Sequence, residues 1–379
     1  MIPMDIPMTD LRRQYAQLKD EIDEAVLHAM AEARFINGPQ VQTFCAHLAD
    51  RLNTPHVIPC GNGTDAIRLA LKALELKPGD EVILPAFNYI AAVEMVVASG
   101  FEPVLIDVEP DTFNMNMQLL ESALSRQTKA IIAVHLFGQA CDMETLMRIA
   151  GKYKIPVIED NAQSLGAECL FSDGSTKKAG TVAHIGTASF FPTKPLACYG
   201  DGGAAMTADH DLAERIRLLA NHGQTEKYHH KIVGSNSRLD TIQAAILDVK
   251  LKHMDAFAEA RRTIAQRYDR ALKTLDAIRL PRQAPCSTHV FHQYTLRVKD
   301  GRRNALRDYL NAHHISAAIY YPLPVHEQEA YKWIARVSGS ADVASQLCKE
   351  VISLPIYPEM TTEEQDRVIE TLARFFSKT

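Results

Sequence analysis

The chain has 379 residues, 46% hydrophobic and 23% charged, an ordinary balance for a soluble globular protein. Its 41 Lys and Arg against 46 Asp and Glu give a formal charge of −5, which argues against nucleic acid or an acidic membrane surface as a partner. Seven cysteines stand apart at 45, 60, 141, 169, 198, 286 and 348, an odd and scattered set that argues against a disulfide framework and fits a reducing cytoplasm.

The N-terminus, Met1-Ile2-Pro3-Met4-Asp5, lacks the basic and apolar segments of a signal peptide. No apolar run reaches the length of a membrane span. A helix is predicted from Thr9, as its cap, to about Ala33, with Leu11, Tyr15, Leu18, Ile22 and Val26 at helical steps. Asn37-Gly38-Pro39 is a turn, and a second helix runs from Val41 to Leu52. His56–Cys60 reads as a strand entering Gly61-Asn62-Gly63-Thr64-Asp65-Ala66 and a helix through Leu74. Strands and helices then alternate: strands at 81–85, 103–107, 129–134 and 156–160, helices at 91–98, 117–124 and 143–153, with Asn116 as a cap. That alternation predicts a mostly parallel sheet covered by helices on both faces.

Thr187 to Phe191 reads as a half-buried strand that Pro192 ends. Lys194 follows, held between Pro192 and Pro195, and Gly200, Gly202 and Gly203 permit a tight turn. A further strand is expected at 203–207 and a helix at 212–222. A long amphipathic stretch from Leu239 to about Leu275 connects to a strand at 293–298 and helices at 303–313 and 362–376. The length suggests two domains, a large one over residues 1–250 and a smaller C-terminal α+β domain over 251–379.

Four features carry chemistry. The glycine-rich turn at 61–66 joins a strand to a helix, so its N–H groups either cup a phosphate or form a plain turn. Its spacing matches a dinucleotide fingerprint, but about sixty residues precede it and Glu81 begins the next strand instead of ending it. Asp160 closes an apolar strand, where a carboxylate is either an ordinary cap or the partner of a buried cation such as a protonated pyridine. Tyr89, beside Asn88 after the strand at 81–85, is either a core aromatic or a ring that stacks on a flat ligand. Lys194 is either an exposed loop lysine or, if burial lowers its pKa, a Schiff-base lysine. Cys141 with Asp142, and His229-His230, lack further ligands at metal spacing, so no metal is expected. Phosphate cup, aromatic face, carboxylate and rigid lysine on one sheet edge together suit pyridoxal phosphate.

The order of these segments resembles the DegT/DnrJ/EryC1/StrS family of nucleotide-sugar aminotransferases, which have the fold type I pyridoxal phosphate architecture. The resemblance runs from Phe35-Ile36-Asn37-Gly38-Pro39 to Leu354-Pro355-Ile356-Tyr357-Pro358. It rests most on Gly63-Thr64-Asp65-Ala66, Glu159-Asp160-Asn161-Ala162-Gln163, Ser189-Phe190-Phe191-Pro192-Thr193-Lys194, Gly200-Asp201-Gly202-Gly203 and Asn236-Ser237-Arg238-Leu239-Asp240.

By that resemblance Lys194 carries the cofactor, Asp160 pairs with its ring nitrogen, Gln163 lies near the ring hydroxyl and Tyr89 stacks on the ring. Gly63, Thr64 and Ser189 hold the phosphate, and Asn236 reaches it from a second subunit, implying a homodimer with shared sites. The stretch from His222 to Thr241 is most similar to a branch that aminates C3 of UDP-2-acetamido-3-keto-glucuronate, with L-glutamate as donor and 2-oxoglutarate as product, for surface polysaccharide. In that branch an Arg at the position of Arg238 and a His-Tyr pair before a proline meet the substrate carboxylate; here the pair is Tyr320-Tyr321. A different UDP-, dTDP- or GDP-keto-sugar, or a non-catalytic regulator that keeps the cofactor, stand as alternatives. A dehydratase of this fold usually has His where Lys194 stands. The segment from Phe171 to Lys178 resembles a local insertion.

Overall fold

The computed structural model describes residues 5–377, so the reading of residues 1–4 lies outside it. The first helix, α1 (Leu11–Glu32), is capped by Asp10, not Thr9: the Asp10 carboxylate accepts the N–H groups of Arg12 and Arg13 at 3.1 and 3.0 Å. Asp is as good a cap as Thr, and the helix starts one residue later than a Thr9 cap would place it, at the first residue of its apolar pattern. Pro39 opens α2 (Pro39–Leu52) at a position where the missing N–H costs nothing.

Alternating elements follow: β1 (His56–Cys60), α3 (Gly63–Ala73), β2 (Glu81–Pro85), α4 (Ala91–Ala98), β3 (Glu102–Ile106), α5 (Met117–Ala123), β4 (Thr128–Val134), α6 (Met143–Tyr153) and β5 (Val157–Asp160). The polar stretch around 171–178 forms a small hairpin of β6 (Glu168–Leu170) and β7 (Thr176–Lys178), turned at Gly174. Next come β8 (Ile185–Ser189), β9 (Gly203–Thr207), α7 (His210–Ala220) and a second hairpin, β10 (Gln224–Glu226) with β11 (His229–His230).

The expected long connector is two helices, α8 (Thr241–Lys252) and α9 (Met254–Leu272), broken at His253. The remaining elements are β12 (Ile278–Arg279), β13 (Tyr294–Val298), α10 (Arg303–Ala312), β14 (Arg336–Val337), α11 (Asp342–Glu350), β15 (Val351–Leu354) and α12 (Thr362–Ser377). Among the described residues no helix is long and apolar enough to cross a membrane.

The main sheet has the order β1-β9-β8-β5-β4-β2-β3-β14, and only β9 runs against the others. The middles of its central strands are apolar runs because helices cover both faces. Val82, Leu84, Ala130 and Ile132 point into one core layer and Ile83, Ile131 and Ala133 into the other. β8 belongs to this interior: Ile185–Ala188 are buried and the strand ends at Ser189, so the half-buried pleat expected at 187–191 is not formed. Period-2 alternation in small residues cannot distinguish a central strand from an edge one.

A separate three-stranded antiparallel sheet, β12-β13-β15, packs with α9, α10 and α12 around Tyr268, Tyr294, Leu306 and Leu372. Ile6 joins that C-terminal core and pairs with Ile315. In the other direction, β14 adds to the main sheet and Ala344 and Leu347 of α11 pack into its core.

Candidate functional site

The carboxyl ends of β1, β8, β5, β4 and β2 lie on one edge of the main sheet, where crevices form in open α/β sheets. A cavity of about 700 Å³ opens there, a size that suits a small ligand with its phosphate. Its walls include Gly63, Thr64, Tyr89, Asp160, Gln163, Ser189, Lys194, Tyr320 and Tyr321.

At one end α3 begins. The Asn62 side chain caps the helix by accepting the Asp65 N–H at 2.7 Å. The N–H groups of Gly63 and Thr64 have no carbonyl one turn back to meet, so they stay available to an anion at the positive end of the helix. Ser189, the last residue of β8, stands beside them: a Cβ on Gly63 would come within 2.6 Å of the Ser189 Cβ. Glycine is required here by close approach, not by a left-handed backbone. The same reason applies to Gly203, whose Cβ would meet the Asn62 carbonyl at 2.4 Å. The two glycine-rich segments of the sequence are thus packed on each other. Asp65 also lines the cavity, and its carboxylate accepts from Arg68 at 2.7 Å and from the Ser237 hydroxyl at 2.6 Å.

Asp160 closes β5 and is nearly buried, its Oδ1 accepting the Ala162 N–H at 3.1 Å. Burial raises its pKa, while the Ala162 N–H and the Lys194 charge oppose that rise. Lys194 follows β8 on a turn in which its N–H meets the Phe191 carbonyl at 2.9 Å. It is half-buried and lines the cavity. The surrounding protein pushes its ammonium down to about 8, and Asp160 resists the fall. A lysine in that range exchanges protons readily near neutrality.

Gln163 ties the floor together: its Oε1 accepts the Phe137 N–H at 2.8 Å and its Nε2 donates to the Tyr321 hydroxyl at 3.1 Å. Tyr321 in turn contacts Phe87 and Tyr89. Tyr89 is 56% exposed at the cavity mouth, so it is not a core aromatic and its ring is free to cover a flat ligand. Behind the floor, Glu159 is fully buried and accepts from His135, Gly180, Val182 and Ala183. The Cys141 N–H donates to the other ring nitrogen of His135, fixing its proton on Nε2.

Asn236 and Arg238 are not part of this wall. Asn236 is exposed and bridges to Asn221, and Arg238 donates to the Asn221 side chain at 3.3 Å. Between them, Ser237 is buried against Asp65 and Gly61, so this segment flanks the start of α3 without entering the cavity of its own chain. The walls also contain residues that no motif announced: Arg68, Phe137, His292 and Gln293. His292 sits before an ordinary-looking strand, in the mixed stretch His289-Val290-Phe291-His292-Gln293, and nothing in that local pattern singles it out. Among the described residues no cluster of three or more His, Cys, Asp or Glu could hold a metal.

The set suits a phosphorylated, nitrogen-bearing planar ring with a reactive carbonyl. The helix end and Ser189 fit an anion, Asp160 fits a ring cation, and Lys194 fits the carbonyl. The sequence model of the DegT/DnrJ/EryC1/StrS aminotransferase family matches residues 16–373. The "Pleiotropic regulatory protein" of Geobacillus stearothermophilus is 42% identical over 98% of this chain and 99% of its own. The UDP-2-acetamido-2-deoxy-3-oxo-D-glucuronate aminotransferase of Pseudomonas aeruginosa is 41% identical over 94% and 96%. The crystal structure of S. venezuelae DesV in complex with ketimine intermediate superposes with a TM-score of 0.95 at 37% identity, covering all of both chains.

Proposed function

Since the chain belongs to the DegT/DnrJ/EryC1/StrS aminotransferase family, with the fold type I architecture and a requirement for pyridoxal phosphate, we propose that it moves an amino group from L-glutamate to a nucleotide-linked keto-sugar. C3 of UDP-2-acetamido-3-keto-glucuronate is the acceptor we favour, on the 41% identity to the P. aeruginosa enzyme named for that sugar. The observation that carries the reading is Lys194 and Asp160 on one cavity, the lysine pushed down to about 8 beside a buried carboxylate.

The bound cofactor supplies a carbonyl that condenses with amines and a ring that stores the electrons released at the adjoining carbon. Gly63, Thr64 and Ser189 would hold its phosphate, and Asp160 would keep a proton on its ring nitrogen. Tyr89 and Tyr321 exclude water from one side of the cavity. Lys194 Nζ takes the proton from the donor's Cα and later delivers one to the sugar carbon, which its position near neutrality allows in both directions. In a homodimer, Asn236 and Arg238 would complete the partner's site.

Tyr320 favours a second reading. It stands where the uronate branch has histidine, so a keto-sugar without the uronate carboxylate fits this wall as well. Relatives of this chain are named for dTDP- and GDP-linked amino sugars.

The test is a panel of UDP-, dTDP- and GDP-linked keto-sugars with glutamate consumption as readout, run on wild type and Lys194→Ala. The expected outcome is one preferred sugar, no turnover in the variant, and an unchanged circular dichroism spectrum. Turnover in Lys194→Ala, or a cofactor band in wild type that no amino donor bleaches, would refute the reading.

A further inference from the structure

His292 and Gln293 enter the cavity from the C-terminal part of the chain, just before β13. Their backbone is clamped to the turn at 136–138: the Gln293 N–H meets the Phe137 carbonyl at 3.1 Å and the Val290 N–H meets the Gly138 carbonyl at 2.8 Å. Gln163 holds the same turn, so these two side chains are fixed relative to Asp160.

His292 is only 7% exposed. Its Nδ1 is sealed in protein with no hydrogen-bond partner. Its Nε2 makes no hydrogen bond among the described residues and is not sealed, so it is the nitrogen open to the cavity. Burial, with the charges of Lys194 and Arg261 nearby, keeps the ring neutral. An orphaned buried N–H is rarer and costlier than an orphaned lone pair. The proton therefore belongs on Nε2, and His292 offers an N–H to the cavity. The Gln293 amide beside it also has no partner among the described residues. Two donors without acceptors, set near two cations, lack an anion.

We propose that His292 and Gln293 form the subsite for the α-carboxylate of the amino donor, a role that rests on the amino-transfer reading above. The donor's nitrogen must arrive at the carbon that Lys194 serves, and its α-carboxylate is two bonds from that nitrogen. That places the carboxylate in the shell around Lys194 where His292 stands. The phosphate cup and Asp160 are already assigned, and His292 and Gln293 are two adjacent donors in the wall without an acceptor among the described residues. When the donor leaves, a sugar hydroxyl meets the same two N–H groups without any change in their protonation.

The experiment follows bleaching of the visible cofactor band in the loaded enzyme as L-glutamate is varied, for wild type, His292→Leu, His292→Gln and Gln293→Leu. His292→Leu should raise the half-saturating glutamate concentration about ten- to a hundredfold, the worth of a hydrogen bond to a charged group, and Gln293→Leu about three- to tenfold. His292→Gln, which keeps an N–H near Nε2, should recover most of the loss. The inhibition constant of γ-aminobutyrate, which has no α-carboxylate, the melting temperature and the cofactor dissociation constant should match wild type. Unchanged glutamate dependence in His292→Leu, or an equal loss for γ-aminobutyrate, would overturn the subsite. If His292→Leu does not fold, Gln293→Leu decides in the same assay. A wild type that glutamate never bleaches would overturn the amino-transfer reading itself.

Discussion

Replacing Asp160 by Asn keeps the shape of the side chain and the oxygen that accepts the Ala162 N–H at 3.1 Å, and removes only charge. Two consequences of opposite sign follow. In the cofactor-free protein, Asp160 is what opposes the fall of the Lys194 pKa. At a value of about 8, roughly one lysine in ten is a free amine at pH 7. Without the carboxylate the pKa drops further, and more of the amine is free. In the loaded enzyme, by the proposed pairing, the ring nitrogen would lose its buried counter-charge. Removing one member of a buried pair costs about 3–5 kcal/mol, which is a hundred- to several-thousandfold in turnover. Labelling of cofactor-free protein with trinitrobenzenesulfonate, located by peptide mapping, reads the first effect; glutamate-dependent turnover reads the second. The variant should label faster at position 194 and turn over far more slowly. Turnover within about fivefold of wild type, with labelling unchanged, would refute the pairing of these two residues.

Capture of pyridoxal phosphate by cofactor-free protein needs the unprotonated Lys194. Its rate should therefore climb about tenfold per pH unit up to about 8 and then level; a plateau reached only near the ordinary lysine value of 10.5 would mean that Lys194 is not desolvated. Gly63→Ala brings a Cβ within 2.6 Å of the Ser189 Cβ and 3.2 Å of its Cα, so helix and strand must part. Overpacking of this kind costs about 1–3 kcal/mol, and the cofactor dissociation constant measured by fluorescence should rise at least about tenfold; wild-type affinity would count against the phosphate cup. Glu159→Gln turns an NH₂ toward some of the four donors that now converge on the carboxylate. A loss of about 3–5 kcal/mol in a urea melt is expected, and an unaltered melt would show that those bonds are not carried by charge.

The sequence by itself settled the βα alternation, because strands buried on both faces are continuous apolar runs and amphipathic helices repeat at 3.6 residues. It also marked Gly63, Asp160, Ser189 and Lys194, which end or follow strands and line one cavity. Signals that depend on distant chain were beyond it. The Asn62 carbonyl and Gly203 are far apart in sequence, and only their contact explains why the second glycine run is needed. β8 reads as half-buried until its neighbours β5 and β9 are known.

His292 carries no motif. The role proposed for it rests on a turn at 136–138 that holds it over the cavity, on two cations brought near by other elements, and on a ring nitrogen left without a partner. Periodicity reports which face of an element is buried, since burial of each residue is repeated along the same segment. Where a single polar group meets its partners depends on segments that pack only once the whole chain has folded, and that was decided by tertiary structure alone.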